Sequence, residues 1–301
     1  MKYYFKPIHL LMLMLVPLLI ISCLEGEEKE ENMITSEDFI DGVFFVEHSD
    51  DGYHINIETN KPAKFYPNTE QQTFEIEESG FADLNLPQGV YWIDCSFDES
   101  PNLILTIPLL IMKNKANAVR TVGSLRNMKD EPEGFALVLR HSDARIGDDI
   151  IDSPLPEWWK SCDPQVARQM DDNGRRNGKK IGDAIKKLQM PIGIALSSEF
   201  CRAVQTIEAM ELNLTIETDS RINHENANPN ERMFEDVFDI IKENRSAGFQ
   251  LLVGHFNIIT GNPHRNLFRP FNMSDGFLMK VNNQSQLEFV GSVPLYLWSL
   301  F

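Results

Sequence analysis

Hydrophobic positions change their rhythm along this chain, and the change falls near residue 116. Before it, apolar and polar residues alternate, as in His54-Ile-Asn-Ile-Glu58, Thr73-Phe-Glu-Ile-Glu77 and Val90-Tyr-Trp-Ile-Asp94. Turn formers interrupt them at Asp51-Gly52, Asn60-Lys61-Pro62, Tyr66-Pro67-Asn68, Leu86-Pro87-Gln88-Gly89 and Ser100-Pro101-Asn102. Short alternating runs with such breaks predict a small β-sandwich or barrel over residues 35–115. Leu103 to Met112 is its expected last strand, and Pro108 predicts that this strand is broken or lies at an edge.

Beyond residue 116 unbroken apolar runs alternate with segments of helical period. Phe135-Ala-Leu-Val-Leu139, Ile192-Gly-Ile-Ala-Leu196 and Phe249-Gln-Leu-Leu-Val253 have the length and composition of buried strands. Ile181, Ala184, Ile185 and Leu188 form an i, i+3, i+4, i+7 stripe in a helix over 173–188, which Pro191 ends. Ser198 is the expected N-cap of a helix from Phe200 to Leu212, which puts Arg202 in its first turn. Asn230 to Asn244 predicts another amphipathic helix, with Met233, Val237, Ile240 and Ile241 inward. Phe277 to Val281 and Leu287 to Leu300 predict further strands. The predicted fold is α/β, a mostly parallel sheet flanked by helices, preceded by the small all-β domain. In such sheets ligands sit beyond the carboxyl ends of the strands.

The N-terminus has the composition of an address. Lys2 and Lys6 precede an apolar stretch from Pro7 to Ser22, shorter than the ~20 residues of a spanning helix. Ile20-Ile21-Ser22-Cys23 resembles the bacterial lipoprotein signal box, which would make Cys23 the lipid-bearing first residue. The acidic run after Leu24 has nothing to bury and is expected to be a solvated tether. The expected organisation is a signal peptide (1–22), a tether (23–34), a β-rich accessory domain (35–115) and an α/β domain (116–301). The implied location is exported and membrane-anchored through lipid on Cys23, on the periplasmic or outer-membrane face.

The 301 residues are 42% hydrophobic, enough for two cores, and carry a formal charge of −17. That charge argues against nucleic acid as a partner, although a local cationic pocket can still bind a small anion. Besides Cys23 there are Cys95, Cys162 and Cys201, which allow at most one disulfide. A Cys95–Cys162 bond would join the two domains, and Cys201 is expected to be a small buried hydrophobe. No metal-ligand spacing is present, so no metal and no cofactor are expected. His48 and His54 have the setting of surface or turn residues. Tyr91 and Trp92 are expected to be core aromatics rather than a sugar-stacking face.

Chemistry collects where three strands stop. Arg140-His141 follow the first run, Ser197-Ser198 and Arg202 the second, and Gly254-His255 the third. Leu137-Val-Leu-Arg140-His141, Ala167-Arg-Gln-Met-Asp-Asp-Asn-Gly174, Leu196-Ser-Ser198-Glu-Phe-Cys-Arg202 and Leu252-Val-Gly-His255 together resemble, in order, the motifs of the histidine phosphatase superfamily. The likeness spans roughly residues 130–260. It implies that His141 attacks phosphorus and becomes phosphohistidine, and that Arg140 and Arg202 clamp the phosphoryl oxygens. His255, as a cation, would donate to the same oxygens, with no metal. Where the family has glycine after the nucleophile, this chain has Ser142, which could crowd the phosphate. The family's proton donor is assigned to Glu225, with Glu231 and Asp275 as alternatives. Arg145 is expected to join the phosphate pocket or shape the loop, while His224 and His264 are expected to be loop residues. Trp158-Trp159 would line the substrate mouth or cover the core. The reading is an exported lipoprotein phosphatase acting on a small phosphorylated substrate. The alternative is a non-catalytic phosphate- or glycan-binding lipoprotein that keeps the pocket.

Overall fold

The computed structural model describes residues 38–47, 54–59, 63–67, 74–76, 80–97, 100–227, 233–244, 248–268, 271–282 and 284–301. The leader, the tether, His48 and Glu231 lie outside them. The described residues form two compact units that divide between Val119 and Arg120.

The first unit holds β1 (Phe39–Ile40), β2 (Val43–Glu47), β3 (His54–Thr59), β4 (Ala63–Pro67), β5 (Phe74–Ile76), β6 (Gly80–Asn85), β7 (Gly89–Phe97) and β8 (Ser100–Met112). Six of them form a sheet in the order β1-β2-β8-β7-β4-β5, and β3 pairs with β6 apart from it. Pro108 does not break β8, which is an inner strand. Its partner β2 pairs only from Leu109 onward. Pro108 is paired only with Trp92 of β7, so its missing N–H takes no bond from the β2 ladder. Tyr91 is buried, and its hydroxyl donates to the Pro87 carbonyl at 2.9 Å.

Helix α1 (Lys115–Asn127) follows β8. The second unit then alternates β9 (Phe135–Arg140), α2 (Asp172–Lys187), β10 (Ile192–Ser197), α3 (Cys201–Ala209), β11 (Ile216–Thr218), α4 (Met233–Glu243), β12 (Phe249–Gly254), β13 (Gly276–Val281) and β14 (Leu287–Val293). The sheet order is β11-β10-β12-β9-β13-β14. The first four strands are mutually parallel, but β13 is antiparallel to both β9 and β14. The sheet is thus mixed rather than mostly parallel. A parallel return needs a long crossover, usually a helix, and the described residues between β12 and β13 hold only short 3-10 turns at Phe256–Ile259 and Arg265–Phe268. The segment 287–300 is not all strand either. Pro294 stops β14, and Leu295–Leu300 continues as a 3-10 helix.

The core is where the apolar periods put it. Leu137, Leu139, Leu251 and Val253 are fully buried in the sheet, as are Ile181, Val237, Ile240 and Ile241 on the helices that cover it. Each such side chain contributes about 1.5–3 kcal/mol by leaving water. Helix α2 starts at Asp171, whose side chain accepts from the Gly174 amide. Its inner face carries Gly174, Gly178 and Gly182, one per turn, all buried. A Cβ at Gly182 would lie far inside van der Waals contact of the Met210 carbonyl, and one at Gly178 would press on Ala209 and Thr206. These glycines let α2 approach the α3 region at backbone distance. Gly182→Ala should therefore lower stability by about 1–3 kcal/mol despite alanine's better helix propensity. A denaturant melt checks this, and an unchanged midpoint would mean that the helices can separate at no cost.

Candidate active site

Register levels the strand ends. Leu139 and Ser197 both stand opposite Val253, and Arg140 stands opposite Gly254. The next amides continue the ladder, with His141 N donating to Gly254 O at 2.8 Å and Ser198 N donating to Val253 O at 2.9 Å. His141, Ser198 and His255 therefore leave the sheet side by side, from three adjacent strands.

His141 is 2% exposed. Its Nδ1 lies 2.8 Å from the Ser142 carbonyl, an acceptor only, so Nδ1 carries the proton and Nε2 carries a lone pair. Burial first, then Arg202, holds its pKa well below the usual value of 6.5, with Arg140 and Arg168 adding to the effect. A unit charge 4 Å away is worth about 4 kcal/mol at an effective dielectric constant of 20, so neighbouring cations are strong enough to keep this imidazole neutral. The ring is thus a nucleophile without deprotonation.

The charges of three guanidiniums act on it. Arg202 is fully buried, with its Cζ 4.4 Å from the centre of the Phe200 ring. Its Nη1 and Nη2 donate to Asp149 Oδ1 and Oδ2 at 2.9 and 3.2 Å. Burial pushes its pKa down to about 10 against the pull of Asp149, so it stays charged at neutral pH. Arg140 donates through Nη1 to the Phe271 carbonyl at 2.7 Å and lies over Phe256. Arg168 was not anticipated as a site residue, yet its charge depresses the pKa of His141, His255, His224, Arg140 and Arg202. It lies in the segment quoted from Ala167, on a loop with neither strand nor helix period to mark it. The Nε of Arg140, of Arg168 and of Arg202 is buried without a hydrogen-bond partner, and so is Nδ1 of His255.

His255 is not a cation here. Burial, then Arg202, His141 and His224, holds its pKa well below 6.5. Its Nε2 lies 2.8 Å from Ser198 Oγ, and its ring is 5.1 Å from that of His141. Ser198 therefore serves His255 and does not cap α3, whose N-cap is Phe200 without a side-chain bond. His224, expected as a loop residue, is in a loop but packs 5.4 Å from His255, its own pKa lowered chiefly by burial. Asn223 holds that loop, accepting from the Glu199 amide and donating to its carboxylate, both at 2.8 Å.

The other expected residues lie as follows. The Arg145 side chain is 72% exposed and meets Asp143 at 3.5 Å. Glu225 is exposed on a turn beside His224, close enough to raise the pKa of that histidine. Asp275 is buried, its two oxygens accepting from the amides of Leu295 and Asn272. Ser142 does not crowd the pocket through its side chain, because Oγ bonds Ser274 Oγ at 3.0 Å. Its backbone has ordinary negative φ, so no glycine is required. Trp158 is buried against Phe200 and Ala167, and Trp159 donates to Glu199 at 3.0 Å. Cys201 is not a free hydrophobe, nor does Cys162 pair with Cys95. Cys162 and Cys201 form a disulfide with Cα atoms 5.3 Å apart. The bridge ties the loop that carries Asp149 and Arg168 to the residue before Arg202. His264 stacks on Phe289. Among the described residues no group of three His, Cys, Asp or Glu is placed to hold a metal.

No protein-family model matches this chain, and no curated protein matches it. Solved structures do. The protein histidine phosphatase SixA complexed with tungstate is 16% identical over 54% of this chain and 97% of that one, with a TM-score of 0.38. Phosphoserine phosphatase from Entamoeba histolytica, in complex with phosphoserine, is 9% identical over 54% and 97%, with a TM-score of 0.39. Phosphoglycerate mutase from Plasmodium falciparum is 11% identical over 52% and 87%, with a TM-score of 0.34. At such identities and scores, the chemistry of the site is read from its own geometry.

Three histidines with lowered pKa make stability depend on pH. The unfolded chain, with histidines near 6.5, binds more protons than the folded one between that value and the folded values. Stability is then complete above about pH 6.5 and falls as pH drops toward the folded pKa values, by up to about 1.4 kcal/mol per pH unit for each histidine. Thermal melts between about pH 7.5 and about pH 5 should show this decline. Melts that stay level over the range would mean that the rings are charged when buried.

Proposed function

We propose that the second unit is a phosphomonoester phosphatase of the histidine phosphatase type, working through a phosphohistidine at His141 and without a metal ion. One observation carries the reading. Four buried N–H or ring nitrogen positions, on Arg140, Arg168, Arg202 and His255, have no partner, the three guanidinium charges act on the His141 imidazole, and the His255 ring lies 5.1 Å from it. A buried donor left unmade costs about 1–3 kcal/mol, so a ligand with several acceptor oxygens and negative charge returns that energy. A phosphoryl group has both. Its transfer needs positioning and charge stabilisation above all, and three guanidiniums supply the positive charge that a metal ion supplies elsewhere.

The steps follow. Nε2 attacks phosphorus in line with the leaving oxygen, the N–P bond forms and the P–O bond breaks. Arg140, Arg168 and Arg202 hold the remaining oxygens. Water then attacks phosphorus, and Nε2 leaves with its electron pair. Neutral His255 contributes one N–H rather than a charge. Hydrolysis rather than transfer between metabolites is favoured by the leader sequence, and so is anchoring through Cys23. The Cys162–Cys201 bond supports export too, since disulfides persist in oxidising compartments. A non-catalytic binder loses one of its motives with the Ser142 hydroxyl engaged by Ser274.

Hydrolysis of an aryl phosphate by the purified chain should persist in EDTA and fall at least about 1000-fold in His141→Ala. Activity lost to the chelator, or kept by the alanine variant, would contradict the reading. Cys23→Ser should move the protein from the membrane to the soluble fraction. Retention in the membrane fraction would mean that something other than lipid on Cys23 holds it.

A further inference from the structure

The proton donor to the leaving oxygen is still unassigned. Glu225 is exposed, and both oxygens of Asp275 are bound to backbone amides. Asp149 is different. Its carboxylate touches Arg202, and it lies close enough to His224 for its charge to be felt there. Its two oxygens are held unequally. Oδ1 accepts from Arg202 Nη1 at 2.9 Å and from the Arg168 amide at 3.0 Å. Oδ2 accepts from Arg202 Nη2, at 3.2 Å. The chain on either side is fixed. The Ile150 amide donates to Val166 O, and Ile146 and Gln169 exchange two backbone bonds.

Resting on the phosphatase reading above, we propose that Asp149 is a displaceable counter-ion that becomes the acid. Its carboxylate takes the two Arg202 terminal nitrogens that would otherwise hold a phosphoryl group. A phosphoryl dianion carries twice its charge and competes for the same guanidinium. Once displaced, Asp149 keeps its Oδ1 bond to the Arg168 amide, so it stays at the pocket. Its Oδ2 then has no donor and stands beside a dianion. Like charges side by side favour protonation of one of them, and Oδ2 takes a proton from solvent or from the incoming monoanion.

The transfer step balances as follows. His141 Nε2 forms the N–P bond, and the P–O bond to the leaving group breaks. The electron pair of that bond stays on the leaving oxygen, which takes the proton from Asp149 Oδ2. The alcohol departs neutral, and Asp149 is again a carboxylate. When water attacks the phosphohistidine, the same carboxylate accepts the proton of the water as the N–P bond breaks. Phosphate leaves, Asp149 gives that proton to the departing phosphate or to solvent, and its carboxylate returns to Arg202. The groups facing the carboxylate are the Arg202 guanidinium, the Arg168 amide and the imidazole of His224, itself pushed toward its neutral form.

The experiment compares the full chain with Asp149→Asn on two substrates, an alkyl phosphate and 2,4-dinitrophenyl phosphate, whose leaving group departs unaided as an anion. Asp149→Asn should lose at least about 100-fold in kcat on the alkyl ester and less than about tenfold on the dinitrophenyl ester. Orthovanadate, measured by calorimetry without turnover, should bind the variant at least as tightly as the wild type, because the internal competitor has lost its charge. Equal losses on both esters with weaker orthovanadate binding would overturn the proposal, and Asp149 would only orient Arg202. Full alkyl turnover in Asp149→Asn, with the loss appearing in Glu225→Gln instead, would overturn it in favour of Glu225. Should Asp149→Asn not fold, Asp149→Ser, whose hydroxyl can still accept from the Arg168 amide, serves the same comparison. A wild type that binds orthovanadate but cleaves neither ester contradicts the phosphatase reading itself, and the orthovanadate comparison still tests displacement.

Discussion

Concentrating positive charge around an imidazole is unfavourable unless something negative arrives, and that constraint organises the second unit. Arg202 is fully buried, Arg140 and Arg168 act on the same rings, and among the described residues one carboxylate, Asp149, is in ion-pair contact with the buried guanidinium. Desolvation and mutual repulsion push every histidine of the cluster toward its neutral form. The same repulsion makes a multiply charged oxyanion the natural complement. One electrostatic arrangement thus yields both a free lone pair on His141 and a place suited to such an oxyanion.

The scaffold makes that arrangement rigid. Parallel register sets His141, Ser198 and His255 side by side, and the α2 glycines bring the helices close behind them. The Cys162–Cys201 bridge then fixes the irregular loop, which has no ladder of its own, against the start of α3. Loops that carry function need such anchoring, because their backbone is not held by secondary structure. Here the anchor is covalent and sits one residue from Arg202.

Apolar periodicity is local, and what is local was legible. The unbroken runs before Arg140, Ser198 and His255 mark three strands and the rim where they end. The stripe of α2 and, on α4, Val237, Ile240 and Ile241 follow the same rule, while the side chain of Met233 lies outside the described residues. What depended on long-range pairing was not legible. The antiparallel placement of β13 comes from the lack of a crossover helix after β12, not from the composition of β13 itself. The partner of Cys201 could not be read, because spacing along the chain does not place Cα atoms. Ser198 has the right type for a cap, but a buried histidine claimed its hydroxyl. Arg168, His224 and Asp149 lie on loops, where no period distinguishes a site residue from a solvated one. Arg168 stands inside the motif that runs from Ala167 to Gly174, and its charge is the one signal that marks it there.

The central claim is that His141 Nε2, kept neutral among three guanidiniums, takes the phosphoryl group. Rapid quenching in alkali during turnover of a radiolabelled phosphomonoester tests it most directly. The account predicts label on the protein that survives base, is released by acid, maps to the peptide containing His141, and forms and decays fast enough to lie on the path. A chain that turns substrate over with no such label, or with label on another residue, would contradict it.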